Sequence, residues 1–498
     1  MKFRCGKRVL AILFAISMIC TLFAGCGRTS DVENTEDSAV ESTSEDTITL
    51  RVVTEKTGVF MMNDLTKDLI AAYQDEHKNV VIELEILPTE KTEREFRLES
   101  LRAEIMAGDG PDIYLMPSEA NSMILGSDAE MLFRDVEQSM HNELFADVSG
   151  LYSADEELAL DELQKTVMDA GTIGDARYIL PLRFDFNVIL VDPDTLENYG
   201  IDEKELVKNS DELQNILISQ NNTRLFCSAG VNFREVLVQF PALIDYEKDT
   251  PVISKEDISG RLRNMNNYLT REEFCDDGTE VDIGVFIENG GRSELGAYIY
   301  GMYWNDGKHP FYVGPLTEAL QSYIIEEVVQ NGPINAYPMR NPDGSLIAEV
   351  TYWGAIDANC EHQEIAYDFL RQFLSREAQW ELNRSEKQAG LAGSLFEEGY
   401  PVRIKGSVEP ICESLLNIAK EARNDYDPEM GKKRMLELRM VQLSDIEFPV
   451  LNEEIDYVRF HIEWENEIED VRSVVSMTDF DLTAEAMYQK LVYHAAEG

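Results

Sequence analysis

Ile48-Thr49-Leu50-Arg51-Val52 alternates apolar with polar residues, and Asp112-Ile113-Tyr114-Leu115-Met116 follows later as a nearly unbroken apolar run. Between them come Met62, Leu65, Leu69 and Tyr73 at helical spacing. A second alternation follows over 80–87 through Ile82, Leu84 and Ile86, and then Leu98, Leu101 and Ile105 at helical spacing again. A period of two marks a strand, and recurrence at three and four residues marks a helix with one apolar face. The second helix is predicted to stop at Gly108-Asp109-Gly110-Pro111, a stop-and-turn cluster. Strand–helix–strand–helix–strand predicts parallel βαβ units and an α/β sheet. Ligands of such sheets collect at the carboxyl ends of the strands, here Thr54-Glu55 and Pro117-Ser118-Glu119.

Upstream, the pattern dissolves. Residues 27–47 carry Asp31, Glu33, Glu36, Asp37, Glu41, Glu45 and Asp46 among Ser, Thr and Asn, with Val32, Ala39 and Val40 as the apolar exceptions. Such a segment has too little apolar surface to order itself and acts as a tether reaching roughly 25 Å. Before it stand Lys2, Arg4, Lys7 and Arg8, then a short apolar run from Val9 to Phe23. This is the layout of an export signal, too short for a comfortable membrane span. Leu22-Phe23-Ala24-Gly25-Cys26 resembles the bacterial lipobox, with Phe23 departing from its usual aliphatic residue. It implies cleavage after residue 25 and lipidation (palmitate included) of Cys26, which fixes the exported chain to the outer face of the cytoplasmic membrane. An ordinary secretory signal with an incidental cysteine is the alternative.

The chain has 498 residues, of which 44% are hydrophobic and 9% aromatic, enough for two or three globular domains. Its net charge of −50 disfavours nucleic acid and anionic lipid as partners, since both need basic patches. The acidity reads as a solvated, self-repelling surface. Cys227, Cys275, Cys360 and Cys412 remain after the signal and anchor cysteines; they form no C-x-x-C pair and allow three disulfide pairings. His77, His141, His309, His362, His461 and His494 form no H-E-x-x-H, and no nucleophile elbow, P-loop or dinucleotide fingerprint occurs. Asp192-Pro193-Asp194 lacks the later ligands of a calcium loop. No cofactor, metal or enzymatic activity is expected.

Leu180-Pro181-Leu182-Arg183-Phe184-Asp185-Phe186-Asn187-Val188 alternates polar with aromatic residues at its end and is similar to the lobe-crossing strand of two-lobed binding proteins. With Thr49-Leu50-Arg51-Val52-Val53, the Gly108–Ile113 turn and strand start, the acidic segment 196–201, Tyr352-Trp353-Gly354, the segment 366–379 and Leu482-Thr483-Ala484-Glu485-Ala486-Met487-Tyr488, it resembles the extracellular solute-binding proteins (family 1, carbohydrate type) of bacterial ABC importers. Each motif alone is weak; their order across most of the chain carries the likeness. Residues 410–477, helical and charged, form a longer insertion than that family's pattern has.

The resemblance implies an α/β, two-lobed, periplasmic-binding-protein-like clamp with a hinge and an interlobe ligand cleft. The expected division is signal 1–25, lipidated cysteine and tether 26–47, first lobe 48–185 with about 285–350, and second lobe about 186–284 with 351–498. It implies capture of a small solute, a sugar or oligosaccharide, and delivery to a membrane permease by a monomer. Sugars need aromatic faces and hydrogen-bonding carboxylates, amides or Arg. The candidate ligand residues are therefore Glu55, Ser118, Glu119, Arg183, Asp185, Asn187, Tyr303, Trp304, Tyr352 and Trp353. Phe369, Phe373 and Trp380, on an amphipathic late helix, read as core. A cell-surface glycan-degrading enzyme, or a ligand-sensing or adhesion lipoprotein, stands as the alternative function.

Overall fold

In a computed structural model, residues 47–56, 61–118, 129–191, 193–206, 212, 226–227, 242–269, 311–316, 320, 334–381, 399–403, 448–461 and 477–497 are described. Strand β1 (Ile48–Thr54), helix α1 (Met61–Glu76), β2 (Val80–Ile86), α2 (Lys91–Ala107) and β3 (Ile113–Pro117) follow the predicted order. β1 lies between parallel partners β2 and β3. α2 starts at Glu90, whose carboxylate accepts the Glu93 N–H at 2.9 Å, and ends at Gly108 with φ +78°. Both ends thus satisfy helix groups that have no partner inside the helix.

The later elements include α3 (Val136–His141), β4 (Ile179–Asp185), β5 (Asn187–Val191), β6 (Phe226–Cys227), β7 (Ile244–Asp245), β8 (Thr250–Pro251), α4 (Lys255–Leu269), β9 (Phe311–Pro315), β10 (Asn335–Pro338), β11 (Ile347–Ile356), α5 (Gln363–Leu370), β12 (Tyr400–Pro401), β13 (Tyr457–Phe460) and α6 (Phe480–Glu497). One seven-stranded sheet runs β12-β4-β11-β3-β1-β2, with β13 beside β11. β11 is antiparallel to β3 and β4 and is buried along its length except at half-buried Thr351. It is the keystone of the mixed sheet, which explains why its sequence is nearly continuous in apolar residues. A second, four-stranded sheet runs β10-β5-β9-β6.

The predicted crossing is where the two sheets meet. β4 ends at Asp185 in the first sheet and β5 begins at Asn187 in the second, with buried Phe186 between them. The Asp185 carboxylate accepts the N–H groups of Phe186 (2.8 Å) and Leu316 (2.7 Å), tying the crossing to the end of β9. Asn187 accepts the Met339 N–H through its carbonyl at 2.9 Å. The return connection to β11 therefore leaves beside the outgoing one.

Two expectations change at this level. The resemblance implies about 285–350 in the first lobe and 351–498 in the second, but strand pairing runs otherwise. Within the first range β9 and β10 join the second sheet, and within the second range most of β11, β12 and β13 join the first. Apolar periodicity marks strands without saying which sheet each enters. The late amphipathic helix is also not continuous. α5 gives way to a 3-10 turn at Arg371–Leu374 and a short helix at Arg376–Glu381, separated by extended Ser375. Phe369 and Phe373 are fully buried, as expected, while the side chain of Trp380 lies outside the described residues. So does most of the charged 410–477 segment.

Candidate functional site

Antiparallel register places Arg183, Tyr352 and Pro117 in one row across β4, β11 and β3, and Thr54 is in register with Leu115. Registered neighbours share a face, and adjacent residues of a strand oppose each other. Tyr352, Leu115 and Thr54 therefore lie on one face, with Gly354 packed against Leu370 of α5. Trp353, Met116, Tyr114 and Ser118 take the other. Consecutive Tyr352 and Trp353 cannot present both rings to one ligand.

On the first face, Tyr352 is fully buried; its hydroxyl lies 3.0 Å from Thr54 Oγ1 and donates to the Leu115 carbonyl at 3.2 Å. Arg183, 2% exposed, reaches the Gly399 carbonyl at 3.5 Å. Gly399 has φ +94°, and a Cβ there would stand 2.0 Å from Thr351 Oγ1 and 2.9 Å from the Phe184 carbonyl. Gly399→Ala is expected to destabilise the chain by about 1–3 kcal/mol, through backbone strain and overpacking. Urea unfolding checks this, and an unchanged midpoint would contradict the packing described.

On the second face, Trp353 sits among Phe133, Phe145 and Phe460, with ring centroids 5.7, 5.6 and 6.5 Å away. It is 1% exposed, so neither face is open to solvent. Among the described residues, its indole Nε1 and the Ser118 hydroxyl have no hydrogen-bond partner, and both are buried. Ser118 is fixed by its own N–H, which donates to the Thr351 carbonyl at 2.9 Å.

Glu55, at the carboxyl end of β1, is neither a surface carboxylate nor open to a ligand. It is 1% exposed and receives Arg94 Nη1 and Nη2 at 2.7 and 2.8 Å. The same guanidinium donates to the Glu130 carbonyl at 3.0 and 2.5 Å, and Arg102 holds the Leu132 and Met131 carbonyls alongside. These two arginines clip residues 130–132 to α2 and β1. Asp185 and half-buried Asn187 occupy the crossing as described above. Glu119, Tyr303 and Trp304 lie outside the described residues, as does Cys26.

Sequence reading missed Arg94. Arg94 had a signal: with Leu98, Leu101 and Ile105 it completes the inward stripe of α2, where an arginine must bring an anionic partner. Among the described residues, no group of three or more His, Cys, Asp or Glu is placed to hold a metal ion. No described helix is long and apolar enough to cross a membrane. Cys360 is buried and free, its thiol pushed up to about 12, chiefly by burial.

No family model matches the chain, and no curated protein matches it by sequence. Solved structures do match. The sugar-binding protein MalE of the phytopathogen Xanthomonas citri superposes with a TM-score of 0.53 at 12% identity, over 90% of this chain and 98% of that one. An extracellular solute-binding protein of family 1 from Alicyclobacillus acidocaldarius gives 0.48 at 13% identity, over 91% and 99%. The mixed α/β fold is that of the two-lobed solute-binding proteins.

Proposed function

We propose that this chain is an extracellular substrate-binding lipoprotein that captures a small solute, a sugar or oligosaccharide, and delivers it to an ABC permease. The observation that carries the reading is the join between the sheets. Two connections, at Phe186 and at Met339, run side by side and bond to each other through Asn187, next to the end of β9. Few backbone torsions need change there to swing one sheet against the other, which is the geometry of a hinge. The neighbour from Xanthomonas citri is a sugar-binding protein, which supports the substrate class for this chain.

The ligand contacts are assigned to the strand ends and the crossing, through Ser118, Glu119, Arg183, Asp185 and Asn187, with Tyr303 and Trp304 as aromatic faces. Trp304 precedes the turn sequence Asn305-Asp306-Gly307, which suits a projecting ring. A glycan panel is expected to contain one ligand that raises the melting temperature and compacts the protein in solution scattering, because a ligand moves the open–closed balance only by binding the closed form better. Trp304→Ala should remove that shift. A panel of glycans, amino acids and peptides without a hit would sink the reading, and turnover of a polysaccharide would favour the enzyme instead. Anchoring has its own test: Cys26→Ser should abolish lipid labelling and release the protein from membranes with ligand binding intact.

A further inference from the structure

The long late insertion, 410–477, returns to the described structure at the join between the sheets. Its 3-10 turn at Pro449–Asn452 packs against β10 of the second sheet, and the chain then enters β13 beside β11 of the first. Phe448, Val450 and Ile455 are buried and fix this segment to the core. Glu453 and Asp456, between them and β13, bond to the return connection from β10 to β11.

That connection is not slack. Asn341 donates its N–H to the Ser345 carbonyl at 2.8 Å, and Gly344 donates to the Asn341 carbonyl at 2.8 Å. The Ser345 N–H and hydroxyl both bond the Asp343 carboxylate, at 3.0 and 2.6 Å. Gly344 supplies the left-handed residue of this closed turn, with φ +86°. A swing of one sheet on the other must therefore be taken up at the flanks of the turn, Met339–Arg340 and Leu346.

Both flanks are held by the insertion. Arg340 gives Nη2 to Glu453 at 2.6 Å and Nη1 to the Gly344 carbonyl at 3.3 Å, with the Asp456 carboxylate 4.0 Å away. Leu346 donates its N–H to Asp456 Oδ2 at 2.7 Å and accepts the Asp456 N–H at 2.9 Å. The two contacts differ in kind. The reciprocal Leu346–Asp456 pair continues into the β11–β13 ladder and belongs to the first sheet. The Arg340–Glu453 pair instead ties that sheet's insertion to the end of β10. Its side chains are 25% and 38% exposed, so water and salt compete for it.

We propose that residues 449–456 are a strap across the hinge, with the Arg340–Glu453 ion pair as its clasp: closed, it holds the return connection in this posture, and opening it frees the second sheet to swing on the first. The strap rests on the hinge proposed at Phe186 and Met339, and it gives the insertion a part in setting how readily a ligand can close the two sheets.

Spin labels on genetically encoded keto side chains, at exposed Glu83 of β2 and exposed Glu197 in the helix after β5, report the distance between the sheets in the ligand-free full chain. Amide exchange at Met339, which bonds the Asn187 carbonyl, reports the crossing. Arg340→Ala and Glu453→Ala are each expected to broaden the distance distribution and to lower Met339 protection about two- to five-fold, with β1 amides unchanged. The double variant should be no looser than either single one. Salt at about 1 M should bring the parent toward the variants, because it screens an exposed pair. Equal loss of protection in β1, or variants matching a parent whose distance is already broad, would overturn the strap and leave the hinge standing. One narrow distance in the parent and in every variant would overturn the hinge and the strap together.

Discussion

Arg94→Ala is expected to lower the unfolding free energy by about 3–5 kcal/mol, the cost of stranding one member of a buried ion pair. The substitution removes both N–H groups from the Glu55 carboxylate and two donors from the Glu130 carbonyl. Glu55 is then left as a buried anion, and residues 130–132 lose one of their two clips. Replacing both partners, as Glu55→Leu with Arg94→Met, is expected to recover most of the loss, since an apolar pair carries no desolvation penalty. Urea unfolding of the two single variants and the double variant completes the cycle. The coupling should be large and favourable, and single variants that lose under 1 kcal/mol or so would place the pair in water.

The same pair shows where sequence reading stops. The βαβ order and the helix stop at Gly108 were legible because each rests on local chemistry, alternation in the strands and a Gly/Pro cluster after the helix, while the crossing between Asp185 and Asn187 was legible only through the family resemblance. Glu55 was legible as a residue at a strand end, which is where ligand carboxylates stand. Its occupation by Arg94 is a contact between residues 39 positions apart, and no spacing rule reports it. Membership of β9 and β10 in the second sheet failed for the same reason, since pairing between distant strands leaves no periodic trace. Tyr352 and Trp353 were legible as aromatic strand residues. Their opposite faces follow from alternation, but which face a helix covers depends on α1, α2 and α5 together.

That difference makes Trp353 the sharpest test of the candidate site. Trp353→Ala is expected to cost about 3–5 kcal/mol, as for other large buried aromatics cut to alanine. The cost arises because the ring fills the space between Phe133, Phe145 and Phe460. Trp353→Phe keeps an aromatic ring there and deletes an indole N–H that has no partner among the described residues. Burying an unpaired donor costs about 1–3 kcal/mol, so removing it offsets the smaller ring, and the expected change is below roughly 1.5 kcal/mol. A sugar-stacking platform needs an open face, and both faces of this ring meet other side chains. Ligand affinity, measured calorimetrically once the glycan panel yields a ligand, should therefore be the same in Trp353→Phe as in the parent. A ten-fold weakening in that variant, with stability unchanged, would instead make the indole N–H a ligand donor and bring the cleft down to the end of β3.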